Sequence, residues 1–445
     1  MSVDVSERRR REVIDALRRG TVPRNGLDLL AVGLGRFEAA IDAELEVAAN
    51  GGAVFKAVRG EYGAGKTFFT RWLAERAKHR GLAVAEVQIS ETETPLHRLE
   101  TVYRRVCDNL ATAEFPPSAL RPVLDAWIYA LEEDVLATSD IAETDTDALS
   151  AGVDQLLDRR LGDIARNAPA FASALRGYRT ATGAGDQATA EGLAAWLGGQ
   201  PNVASVVRRA AGLKGELDHF GALAFLQGLL TVLRGCGHPG LLIVLDEVET
   251  LQRMRSDVRD KALNALRQLI DEVDGGRFPG LYLVITGTPA FFDGVQGAQR
   301  LPPLAQRLAT DFTADIRFDN PRAIQLRLPG FTTDGLRELG GRVRDLFASG
   351  LPDRDRVAAT VDDAYVALLA DTVTGQLGGK VGVAPRVYLK KLVADVLDRV
   401  EQFPDFDPRR HYPVTLTAAE LTDVERNAAG LAIESVDDID LHLPL

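Results

Sequence analysis

A short apolar run, a glycine loop and a Lys-Thr pair leave few folds open to this chain. AVFKAVR at 53–59 follows Gly51 and Gly52, precedes GEYGAGKT at 60–67, and leads into FFTRWLAERAKHRG. An apolar stretch bounded by glycine turns predicts a buried strand. Phe68, Phe69, Trp72 and Leu73, at helical spacing and closed by Gly81, predict a helix. LAVAEVQIS at 82–90 predicts the next strand. Strand, loop, helix and strand form the unit of a parallel α/β sheet. The loop Gly60, Glu61, Tyr62, Gly63, Ala64, Gly65, Lys66, Thr67 fits G-x-x-x-x-G-K-[ST] in the strand-to-helix context that this pattern requires. Its glycines let backbone N–H groups close on a phosphate, and the helix start adds its positive dipole end. Lys66 supplies a charge to the β and γ phosphates, and the Thr67 hydroxyl suits Mg²⁺. Phe68 is counted with this nucleotide-binding stretch, although its spacing also suits the core.

A phosphate loop needs a carboxylate on a nearby strand. LLIVLDE at 241–247 supplies Asp246 at the end of an apolar run, where an unused charge would be costly. Asp246 is the expected Mg²⁺ residue, and Glu247 the expected group for polarising water. Glu249 is a further acid nearby, equally suited to a surface place. LYLVITGTP at 281–289 offers Thr286 and Thr288 as γ-phosphate sensors, on a strand expected between the two motif strands. Thr286 is preferred, because Gly287 and Pro289 turn the chain after it. Arg386, in a helix opened by Pro385, is the candidate lid arginine. Arg307 or Arg300 would serve as a finger toward a neighbouring subunit. The expected parallel sheet has five strands with helices on both faces. It places 53–59 beside 240–246 and 324–328, and 281–287 beside 240–246.

The remaining chain divides as follows. Residues 1–50 form a helical N-terminal segment, with Val13, Ile14 and Leu17 at packing spacing. Residues 51–330 hold the P-loop nucleotide-binding core, interrupted by a helical insertion at about 96–235, within which 180–192 (TATGAGDQATAEG) reads as a loop or hinge. Residues 331–445 read as a helical lid with room for a winged helix, ending in an acidic tail, DDIDLHLPL. No apolar run is long enough to span a membrane. The N-terminus lacks the apolar segment of a signal peptide. Two cysteines form no metal spacing, so a reducing cytoplasm is expected. The net charge of -12 argues against a protein that simply coats DNA. Arg8–Arg11, Arg322 with Arg327, and Arg386–Lys391 remain as basic patches.

LRRGTVPRNGLDLLAVGLGRFE at 17–38 and FKAVRGEYGAGKTFFTRWLAERA resemble the BREX-system ATP-binding protein family, a P-loop family of phage-defence loci. GLLIVLDEVETL at 240–251, AAWLGGQ at 194–200 and GVAPRVYLKKLV fit the same family. The resemblance implies an AAA+-like ATPase core similar to that of origin-recognition initiators, with a helical lid and a C-terminal winged helix. It also implies ATP as the nucleotide, Mg²⁺ as its ion, and a place for Gly33, Gly35 and Arg36 on the adenine side. Thr286 becomes the first sensor and Arg386 the second. The insertion at about 96–235 departs from an initiator core. The implied function is an ATP-hydrolysing switch or motor subunit of a phage-defence complex. Its partners would be other defence proteins, with double-stranded DNA and a nucleotide-dependent homo-oligomer as further expectations. A P-loop kinase-type phosphotransferase and an ATP-binding adaptor with little turnover are the alternatives.

Overall fold

In the computed structural model of the protein, residues 5–139, 141, 144–380, 382 and 384–430 are described. The acidic tail expected at 437–445 lies outside them. The chain divides into two compact units. One contains Glu38–Arg59 and Leu73–Arg327. The other contains the chain up to Phe37, Gly60–Trp72 and the chain from Leu328 on.

The first unit carries the sheet. Its strands are β1 (Val54–Arg59), β2 (Ala83–Gln88), β3 (Leu241–Asp246), β4 (Leu281–Gly287) and β5 (Gln325–Arg327). All neighbours pair in parallel, in the order β2-β3-β4-β1-β5. Apolar residues fill β3 and β4 almost continuously rather than alternately, because both faces are covered. The expected pairing of 53–59 with 324–328 and of 281–287 with 240–246 is present. The expected contact of 53–59 with 240–246 is absent, because β4 lies between β1 and β3. Strand composition carries no information on which buried strand sits next to which. The position of β4 does agree with a sensor strand lying between the two motif strands.

The insertion is the crossover from β2 to β3. It contains the helices Leu99–Asp108, Leu120–Thr138, Thr146–Asn167, Pro169–Gly183, Gln187–Leu197, Ser205–Ala210 and His219–Gly235. One apolar core runs from the sheet residues Ala85, Ile243 and Leu283 into these helices. Phe225 joins them, with ring centroids 5.8 Å from Tyr103, 5.1 Å from Phe171 and 5.4 Å from Trp196. The loop expected at 180–192 is mostly helical. Its alanines favour helix, and only a short turn interrupts it. There Gly185 takes φ +69°, and Asp186 caps the next helix by accepting the Thr189 N–H at 3.1 Å.

The second unit has its own core. Val13, Ile14 and Leu17 of helix Glu7–Arg18 pack with residues of helices Thr333–Ala348 and Asp363–Gln376 and of the helical stretch Pro385–Gln402. Helix Glu7–Arg18 of the N-terminal segment therefore shares a core with C-terminal helices. Among the described residues from 331 on, every regular element is helical. No strand that could serve as the wing of a winged helix occurs among them.

One buried charge anchors β1. Lys56 is 1% exposed. Its ammonium lies 2.5 Å from Glu44 and donates to the carbonyls of Ala323 at 2.7 Å and Pro321 at 3.3 Å. Tyr282 of β4 donates its hydroxyl to the other Glu44 oxygen. Burial and the Glu44 charge raise the phenol well above its ordinary range. Glu44→Ala would leave Lys56 buried without its counter-charge, at a cost of about 3–5 kcal/mol. A lowered urea midpoint is expected for Glu44→Ala, with most of the loss recovered in Glu44→Gln/Lys56→Met. Equal stability of Glu44→Ala and wild type would refute this reading.

Candidate functional site

The Gly60–Thr67 loop takes the shape its glycines allow. Gly63 and Gly65 have φ of +81° and +86°, values that side chains with a Cβ rarely adopt. The helix Lys66–His79 begins at the end of the loop, so its first N–H groups open toward it. The Lys66 ammonium donates to the carbonyls of Gly60 at 2.9 Å and Glu61 at 3.4 Å. It also sits 5.1 Å from the centroid of the Tyr62 ring, which is 44% exposed. Phe68 packs against the core of the second unit. Phe69 meets Phe37 edge-on at 5.9 Å, and the Arg36 guanidinium lies over the Phe37 ring at 4.8 Å. The box around Gly33 and Arg36 is thereby joined to the helix that follows the loop. Gly33 itself has φ +75°, with open space where a Cβ would stand.

In the sheet-bearing unit, parallel pairing brings the C-terminal ends of β1, β3 and β4 to one edge. β1 ends there at Arg59, and Gly60 follows it directly in the chain. Asp246 ends β3, and Thr286, fully buried, stands near the end of β4. The Thr286 hydroxyl donates to Asp246 Oδ1. The Glu247 N–H donates to Asp246 Oδ1 at 3.1 Å and to Thr286 Oγ1 at 3.2 Å. Glu247 has φ +60° and ψ 44°, a left-handed backbone in a residue other than glycine. Such a conformation costs roughly 1–3 kcal/mol and persists only where its surroundings hold it. Here the paired N–H holds it, and the side chain is redirected toward β2. Gln88 Nε2 donates to Glu247 Oε2 at 2.8 Å.

Gln88 escaped the sequence reading. It is the register partner of Asp246 across β2 and β3. Its polarity at the C-terminal end of β2 was the available signal, diluted by Glu86 in the same strand. Thr288 is buried and precedes the short helix Pro289–Asp293, without capping it through its side chain. Glu249 is buried rather than at the surface.

The candidate arginines hold carboxylates. Arg307 donates to Asp271 and to the Pro303 carbonyl at 2.7 Å. Arg300 pairs with Asp260 and donates to Ser256 at 2.7 Å. Arg386 pairs with Glu425. Several charges of the basic patches are likewise matched within the chain. Arg8 meets Glu12 at 3.0 Å, Arg11 meets Glu7 at 2.6 Å, and Arg9 meets Asp28. Arg327 pairs with Asp319 at 2.8 Å, and Lys391 is buried against Glu420 and Asp395. The basic stripe expected at 386–391 is therefore not an open cationic face at Arg386 and Lys391.

Among the described residues, no helix is long and apolar enough to cross a membrane. No curated protein matches the chain. A family description, BREX system ATP-binding protein BrxC/D, matches residues 5–415. That stretch takes in the Gly60–Thr67 loop, the Asp246–Glu247 pair and Arg386. The chain belongs to the BREX system ATP-binding protein BrxC/D family, whose role is ATP binding in phage defence.

Proposed function

We propose that this chain hydrolyses ATP as a conformational switch within a phage-defence assembly. The observation that carries the reading is the hydrogen-bonded Asp246–Thr286–Glu247 cluster, on the sheet edge where β1 ends and the Gly60–Thr67 sequence begins. Lys66 and the loop N–H groups would bind the β and γ phosphates. The oxygen donors Thr67 and Asp246 suit Mg²⁺, which takes one or two protein ligands beside the phosphates. Among the described residues there is no larger cluster of metal-binding side chains that would favour a different ion. The bound ion would neutralise charge on the phosphate oxygens. Glu247 would accept the proton of the attacking water. Thr286 keeps Asp246 oriented, and Gln88 fixes the Glu247 carboxylate. ATP, rather than GTP, follows from the family.

Lys66→Ala is expected to abolish ATP binding, or to weaken it so far that calorimetry detects none. Glu247→Gln should bind ATP as wild type does and slow phosphate release about 100-fold or more. Wild-type phosphate release by Glu247→Gln would remove Glu247 from its role.

Gln88 acts through Glu247, so its loss should show in kcat and not in KM. Gln88→Ala is expected to lower kcat about tenfold, since misplacing a catalytic group by an ångström can cost 100-fold. Gln88→Glu should be slower still, by placing a like charge against Glu247. Loss of ATP affinity without a change in kcat would contradict a positioning role.

The partner we favour is a protein of the same defence system. Arg8, Arg9, Arg11, Arg327, Arg386 and Lys391 all hold acidic partners within the chain, and the net charge is -12. A duplex-DNA titration at two salt concentrations, with and without ATP, should show little binding. Tight, steeply salt-dependent binding would instead establish backbone contact. Arg307 or Arg300 could reach a second copy's phosphates only by leaving Asp271 or Asp260. A mass increase on adding a non-hydrolysable ATP analogue is the sign of such an assembly.

A further inference from the structure

Residues 412–430 lie as a strap across the helical stretch that carries Arg386. The strap is tied along its length. Tyr412 donates its hydroxyl to Asp395 at 2.8 Å. The Gln376 amide brackets the backbone, donating to the Val414 carbonyl at 2.8 Å and accepting the Leu416 N–H at 3.1 Å. Lys391 meets Glu420 at 2.8 Å, and Leu421 and Ala428 enter the core. The tightest knot is at Arg386. Its Nε donates to Glu425 Oε1 at 2.8 Å, and its Nη2 donates to Glu425 Oε2 and to the Glu420 carbonyl at 2.7 Å.

The Glu425 side chain is 4% exposed, so this bidentate pair is largely withdrawn from water on the acid's side. Glu425 Oε2 also accepts the Thr422 N–H at 2.7 Å, closing a capping box that shapes the strap's last helix, Asp423–Ala428. Glu420 and Glu425 both lie beyond the stretch that matches the family, whereas Arg386 lies within it. A feature outside the matched stretch thus holds a residue inside it.

The chemistry of the knot matters. A carboxylate gripping the Nε–Nη2 edge of an arginine uses the same two-oxygen geometry as a phosphate. That edge cannot serve both ligands at once. We propose that residues 412–430 form an inhibitory strap, in which Glu425 and the Glu420 carbonyl hold the Arg386 edge that a nucleotide phosphate would otherwise take. The proposal rests on the ATPase reading above. It adds that nucleotide binding and strap docking oppose each other. Because such coupling is reciprocal, ATP loosens the strap by the factor by which the strap weakens ATP. A partner that removes the strap would raise ATP affinity by the same route.

Hydrogen exchange of the full chain, with and without a non-hydrolysable ATP analogue and Mg²⁺, tests this. Backbone amides of 412–430 should exchange roughly fivefold or more faster with the analogue bound, the low end of usual allosteric coupling. Glu425→Gln should raise hydrolysis at sub-saturating ATP by a similar factor. A merely structural strap would lower it or leave it unchanged. Should Glu425→Gln fail to fold, Glu420→Gln cuts the Lys391 tie and is expected to act in the same direction, while the exchange experiment on wild type needs no variant. In Arg386→Ala, the strap should exchange fast in both states. Unchanged or slower exchange of 412–430 in wild type, with analogue binding verified by calorimetry, overturns the strap and leaves the ATPase reading intact. Failure of wild type to bind the analogue at all overturns both.

Discussion

All five strands run in one direction, and the rest of the sheet-bearing unit follows from that constraint. Parallel neighbours cannot be joined by a hairpin, so each strand must return by a crossover. In exchange, every C-terminal strand end reaches the same edge. Gln88, Asp246 and Thr286 meet there only because β2, β3 and β4 are consecutive in the sheet. The left-handed backbone at Glu247 depends on the same pairing, since its N–H is held by groups from β3 and β4. The local strain at Glu247 is supported by tertiary neighbours rather than by its own sequence.

The crossover between β2 and β3 also explains how so large an insertion is tolerated. These strands are adjacent in the sheet although the whole insertion separates them in the chain. Loop-closure entropy grows only slowly with length, so inserting helices at this point costs little. What the insertion adds is burial. Phe225, Trp196 and Phe171 extend the core that begins on the sheet, and the insertion is thereby part of the same folding unit.

Many charges are paired inside the chain. Nearly every arginine that the sequence offers for an outside ligand holds an acid within the fold. Exposed pairs of this kind contribute little stability each. Their consequence is functional. In the proposed function, an arginine would have to leave its carboxylate before meeting a phosphate, which would couple engagement of a nucleotide or a neighbour to breaking an internal contact. Lys56 and Glu44 are the opposite case, a buried pair whose loss on one side alone is costly.

The identity and type of the main elements were legible in the sequence. The apolar runs at β1, β3 and β4 and the glycine loop after β1 are local patterns, and local patterns follow from residue chemistry alone. The segment at 180–192 was misread because its three glycines outweighed the alanines around them, although only Gly185 needs a special backbone. Strand order lay beyond sequence, because β1 and β3 are both mostly apolar runs and nothing in either names its neighbour. Gln88 could not be singled out as a site residue for a related reason. Its meaning comes from being opposite Asp246, a register set by hydrogen bonding across strands. The same holds for the charged patches. By itself the sequence determined the motif residues, the helical or extended character of most segments and the family. Only the tertiary structure decided which residues share an edge and which charges are already paired, because both depend on contacts between segments far apart in the chain.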